Sequence, residues 1–119
     1  MEPLAIAGYM VLASTAVSGA MAGTLGGAVA WGFRIHFLWG AALAVAMHVA
    51  VASFDIHITL AGAALFGGLP LVTSLASSWL IARHLETRAK WHRALATGAG
   101  LLIGFAVGLA SMIPFMPRP

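Results

Sequence analysis

The chain has no cysteine, which removes disulfide frameworks, thiolate metal sites and thiol nucleophiles from consideration. Charge is almost as scarce: 8% of 119 residues are charged and only three are acidic, where an ordinary soluble domain carries roughly a quarter charged residues. No two carboxylates cluster, so a paired acid–base site is not expected. None lies inside an apolar run either, so nothing is placed to bind a coupling ion or proton for transport. No glycine-rich phosphate loop follows a strand-like segment, and no triad spacing can be recognised. The basic residues are few and gathered in one short segment, so the high pI speaks of membrane topology and not of nucleic acid. A basic start is missing too: the chain opens MEPL, unlike a cleavable signal peptide, and the first apolar run is expected to be retained. These absences together predict a protein that is not an enzyme.

What remains is hydrophobic. Apolar residues make up 61% of the sequence, and the few charges divide it into four runs near the length of about 20 residues that a transmembrane helix needs. The predicted spans are 4–31, 36–54, 58–82 and 94–115. Short connections make successive helices antiparallel. The fold class is therefore an all-α integral membrane protein, a single domain over residues 1–119 whose four transmembrane helices form two antiparallel hairpins.

Lys and Arg favour cytoplasmic connections. Arg34 falls between the first two spans and Arg83, Arg88, Lys90 and Arg93 between the last two, whereas Glu2, Asp55 and Arg118 fall on the other side. Trp31, Phe33, Phe37, Trp39, Trp79 and Trp91 gather at the same boundary as the bases, where amphipathic rings prefer to sit. Both termini are thus expected outside the cytoplasm, in a bacterial inner membrane. The segment ARHLETRAKWHR (82–93) reads as the device that enforces this topology, with long basic side chains reaching the headgroups. His36, His84 and His92 read as interfacial anchors beside Arg.

Small residues four apart mark the faces on which membrane helices approach closely. Gly19, Gly23 and Gly27 form such a stripe in the first span and Gly100, Gly104 and Gly108 in the fourth. Gly40, Ala44, His48 and Ala52 form a related one in the second. The two glycine stripes exceed what a small bundle obviously needs, so they are expected to dock larger membrane subunits or a second copy. In the third span Pro70 follows Gly67 and Gly68 and predicts a kink, with Thr73, Ser74, Ser77 and Ser78 available to satisfy freed backbone groups. An internal repeat is also visible: GAALAVAMHVAVAS (40–53) aligns without gaps on GAGLLIGFAVGLAS (98–111). It places Ala106 opposite His48 and relates the hairpins by an axis along the membrane normal.

The candidate site is His48, an imidazole in the stretch AVAMHVAVASFDIHI (44–58). An ionisable residue within a span is a candidate functional group, and His48 falls about 10 Å inside the outer end of its helix. Met10, Met47, His57, Met112 and Met116 fall at similar depth or nearer the outer surface. Thioether and imidazole without thiolate suit copper, particularly Cu(I), so the candidate metal set is His48, Met47, His57, Met112 and Met10. The competing reading makes the methionines fillers of packing gaps and His48 a hydrogen-bonded core residue. Ala44 one turn before His48 leaves room for a macrocycle, similar to the pigment-binding helices of bacterial light-harvesting polypeptides; haem or bacteriochlorophyll is the corresponding cofactor. Asp55 and His57 are expected at the water interface.

The run WGAALAVAMHVAVASFDIHITLAGAALFGG, continued by SLASSWLIARHLETRAKWHRALATGAGLLIGFAVGLASM, resembles a reduced repeat of the bacterial MHYT membrane sensor domain. In that family a Met-His pair lies near the outer face of an apolar helix, followed by another span, a basic turn and a second such helix. Met47 and His48 fall on the pair, with Val49-Ala50 in place of the family's Tyr-Thr and with Ala106, or Ser111-Met112 if the alignment slides, at the next motif position. The resemblance implies a sensor of oxygen, carbon monoxide or nitric oxide working through a metal. Two functions are therefore carried forward. The first is a small non-catalytic subunit packed into a larger respiratory or photosynthetic membrane complex. The second is an MHYT-like copper or haem sensor with His48 as ligand.

Overall fold

The computed structural model describes the backbone of residues 3–54 and 60–115, and the side chains of Met10, residues 13–54 and residues 67–114. Four helices follow in order, α1 (Pro3–Gly32), α2 (Phe37–Ser53), α3 (Leu60–Thr87) and α4 (Arg93–Ala110), and a 3-10 turn (Ile113–Phe115) comes after α4. No strand occurs among the described residues. Among them, α4 is the helix long and apolar enough to cross a membrane, and α2 is a shorter apolar helix of 17 residues.

The helix ends differ from the limits of the apolar runs for local reasons. α3 continues past Ala82 to Thr87, because nothing in RHLET breaks a helix. α4 stops at Ala110, since Pro114 could not supply the amide that the next turn requires. α3 also runs unbroken through Pro70. Thr73 Oγ1 donates back to the carbonyls of Leu69 at 2.9 Å and Pro70 at 3.2 Å, and Ser74 Oγ to Leu71 at 3.1 Å.

α1 and α3 form the central pair; α2 packs on one flank and α4 on the other, each touching both central helices. This is why the Cα envelope measures 29 Å by 16 Å across its two shorter dimensions. Glycine sets the spacing. Gly19, Gly23 and Gly27 of α1 lie against the backbone carbonyls of Gly67, Leu71 and Leu75 of α3, and Gly26 of α1 lies against Gly40 of α2. On the other side of α3, a Cβ on Gly104 would stand 2.9 Å from the Ser78 nitrogen and 3.0 Å from its Cα, and one on Gly108 would stand 3.0 Å from the Pro70 carbonyl. Both glycine stripes are therefore used inside the bundle, where the sequence had suggested surfaces for other subunits.

The hairpins repeat each other. Arg34 and Lys90 both adopt left-handed backbone, with φ of 57° and 62°. In the first loop Arg34 N–H donates to Trp31 and Ile35 N–H to Ala30, the paired bonds of a Schellman ending. Two residues on, His36 and His92 cap α2 and α4, each Nδ1 accepting the amide of Leu38 or Ala94 at 3.1 and 3.2 Å. Then come the buried stripes, Gly40, Ala44, His48 and Ala52 in α2 and Ala96, Gly100, Gly104 and Gly108 in α4. Every one of these pairs is separated by 56 residues, whereas the alignment of 40–53 on 98–111 implies 58. The repeat holds, but its register is corrected by two residues, and the counterpart of His48 is Gly104 and not Ala106. Two residues turn a helix by about 200°, so the alignment by identity had matched a buried face to an exposed one.

Gly68 and Gly98 have open space where a Cβ would go, which provides an internal control. Gly104→Ala should lower stability by about 1–3 kcal/mol through overpacking. Gly98→Ala should raise it by about 0.5–1 kcal/mol through the helix preference for Ala. Unfolding of the detergent-solubilised protein measures both, and equal effects at the two sites would contradict this packing.

Candidate functional site

α2 carries His48 on its buried stripe, 5% exposed, where it faces the central pair. Its Nδ1 lies 3.1 Å from Ser18 Oγ of α1. The far edge of the ring, Nε2 and Cε1, occupies the place where a Cβ of Gly67 on α3 would stand. Glycine at 67 thus makes the space into which the imidazole folds. The ring is gripped between two helices of the core, as the period of the small residues predicted.

Of the other candidate ligands, Met47, Met10 and Met112 are described and stand in three different environments. Met47 packs with Phe37 and Ala41 against the cluster of Ala22, Ala44, Leu71 and Leu75. Met10 is 67% exposed on α1, while Met112 is buried just beyond the end of α4, the helix on the flank opposite α2. His57, Asp55 and Met116 lie outside the described residues. No group of three or more His, Asp or Glu side chains that could hold a metal occurs among the described residues. Copper or haem at His48 needs a ring nitrogen whose lone pair points at open volume, with further donors around copper and the width of a macrocycle around haem iron. Among the described residues Nδ1 is turned to Ser18 and Nε2 lies over Gly67.

A second constellation lies at the basic end of the bundle. Glu86, near the end of α3, accepts a bond from Trp31 Nε1 at 2.6 Å on one oxygen. Its other oxygen accepts from Arg34 Nη2 at 2.5 Å and Arg93 Nε at 3.3 Å. Partial burial works to raise the Glu86 pKa, but the hydrogen bonds from Arg34, Trp31 and Arg93 and the Arg34 charge outweigh it and hold the carboxyl below its ordinary value. Rings pack above it: Trp31 and Trp79 meet edge-on at 6.2 Å, Phe37 and Trp79 at 5.3 Å, and the Arg34 guanidinium lies 4.0 Å from the Trp31 ring centre. This carboxylate ties the first hairpin to the second. Its signal in the sequence was being the one acid among five bases of the two connections at that end, a signal hidden by reading 82–93 as a charge run.

Comparison with known protein families, with characterised proteins and with solved structures finds no match to this chain. Function is therefore argued from the geometry.

The fit of His48 over Gly67 can be tested by a double-mutant cycle. Gly67→Ala alone should destabilise the bundle, because the added methyl meets the buried imidazole. In a His48→Ala background the same change should cost little, giving a coupling of about 1–3 kcal/mol. Additive effects in unfolding measurements would mean that the ring does not rest on Gly67.

Proposed function

We propose that the chain is a small multi-pass subunit of the bacterial cytoplasmic membrane, without an active site of its own, that packs against larger membrane proteins. The observation that carries this reading is the distribution of polarity. Thr15, Thr24, His48, Ser74 and Ser78 are buried, while Leu43, Val51, Val72, Leu80, Leu102 and Ile103 are exposed. A water-soluble bundle places such residues the other way round, whereas a bilayer favours a small, weakly polar interior and an apolar exterior. The bases and indoles at one end suit a cytoplasmic interface, with the termini opposite.

Because the glycine stripes face inward, a neighbouring helix needs another surface. α2 supplies one. Ala42, Ala46 and Ala50 are exposed and lie about 200° round the helix from the buried Gly40, Ala44 and His48. They make a row of small residues along its outer side, flanked by Leu38, Leu43, Val45 and Val49. The MHYT-like sensor reading comes second, since the contact with Ser18 and the seat over Gly67 account for the burial of His48 by packing alone.

Native gel electrophoresis of mild-detergent extracts separates the outcomes. The wild-type chain should migrate within a larger complex, and Ala46→Leu should release it while leaving the stability of the isolated bundle within about 0.5 kcal/mol. A wild-type chain that migrates alone would overturn the subunit reading. A complex indifferent to Ala46→Leu would remove α2 as its contact face.

A further inference from the structure

A groove runs between α1 and α4 toward the basic end. Its inner cavity, about 290 Å³, is lined by Met21, Thr24, Leu25, Leu101, Leu102 and Phe105. An outer cavity of about 500 Å³ shares Leu25 and Leu101 with it and reaches Thr97, Gly98, His92 and Arg93. The inner part is hydrocarbon almost throughout, and the mouth is cationic.

Two hydroxyls give the groove a chemical direction. Thr24, 4% exposed, lines the inner cavity and Thr97 the outer. Their Oγ1 atoms are, among the described residues, the buried side-chain polar atoms with no hydrogen-bond partner. Thr73 and Thr87 in the same fold bond back to a carbonyl of their own helix, so the orphan state is a property of this seam. Buried hydroxyls are seldom left unbonded, and a small turn of each side chain toward the groove would let an occupant bearing acceptor oxygens satisfy them. At the mouth, Arg93 is half exposed; among the described residues its engaged atom is Nε, which donates to Glu86 at 3.3 Å. The start of α4 adds the positive end of a helix dipole, and His92 stands beside it. Basic pockets between helices at a cytoplasmic interface suit phospholipid headgroups.

We propose that this groove binds one anionic phospholipid, with an acyl chain along Leu25, Leu101 and Phe105, ester oxygens at the level of Thr97 and Thr24, whose side chains turn to meet them, and the phosphate at Arg93. The inference rests on the membrane placement proposed above. A partner helix is the weaker occupant. It would need a carboxylate placed at the cationic mouth, and its own carbonyls are already bonded along its axis, which leaves the two hydroxyls unanswered.

The test uses the full-length protein, after alkaline extraction has asked whether it stays with the membrane. Recovery in the soluble fraction would overturn the membrane reading and the lipid site with it. For protein that stays, native mass spectrometry with phosphatidylglycerol and phosphatidylcholine of identical acyl chains reads the site directly. One phosphatidylglycerol per chain should be retained in preference to phosphatidylcholine. Arg93→Gln should weaken that preference about fivefold. Gly98→Trp, placed where the backbone leaves open space, should remove retention of both lipids. Equal retention of the two lipids, insensitivity to Gly98→Trp, or a polypeptide captured by a photocrosslinker at Leu102 would each overturn the lipid site while leaving the membrane placement intact.

Discussion

The carbonyls of Gly67, Leu71 and Leu75 on α3 face Gly19, Gly23 and Gly27 of α1, and on the far side of the same helix the Ser78 backbone faces Gly104. Backbone-to-backbone approach on two sides of one helix decides which residues the rest of the chain can tolerate. It requires small side chains along both seams, so the interior is built mostly from Gly, Ala, Ser and Thr, with Leu71, Leu75 and Met112 as buried large apolar side chains among the described residues. Most of the other large apolar side chains are consequently displaced to the outside. In water that arrangement would forgo most of the hydrophobic driving force. In lipid, where association depends on close packing instead, it is favoured. Ser74 and Ser78 fit beneath this seam because their hydroxyls bond within α3, to Leu71 and Leu75, and ask nothing of the facing helix.

The two hairpins are variants of one unit, and the place where they diverge most is His48 against Gly104. At Gly104 the flanking helix rests on the α3 backbone itself; at His48 an imidazole stands between helices. α3 and α4 pack more extensively than α1 and α2, as expected when one flank carries a ring and the other carries none. Near the basic end the first hairpin does close tightly, through Gly26 and Gly40. His48 therefore acts as a wedge with a hydrogen-bonding edge. Its burial follows from the stripe it belongs to, and its space is supplied by Gly67 on the next helix, α3.

Much of this was legible in the sequence because period and residue size are local properties. The stripe Gly40, Ala44, His48, Ala52 announced a buried face, and the bases and indoles announced one polar end. What period cannot state is which helix a stripe will face, so Gly19, Gly23 and Gly27 could be read as an outward surface. The register of the repeat was lost because alanine and glycine are too frequent for identity to be informative; the pair His36 and His92, two cap positions in the same relation to Arg34 and Lys90, carried the true register. Their capping role was obscured because Ser, Thr, Asp and Asn are the usual caps. Glu86 was missed because its partners Trp31 and Arg34 come from the other hairpin.

The central claim is that the α1 glycines face α3 and not lipid or a foreign helix. Solid-state NMR on the protein in hydrated bilayers, with the Gly23 Cα and the Leu71 carbonyl labelled, tests it most directly. The account predicts a strong short-range dipolar contact between the two labels and no contact between Gly23 and lipid acyl chains. A missing contact, with Gly23 instead close to lipid, would turn the glycine stripe outward and contradict the packing on which this description rests.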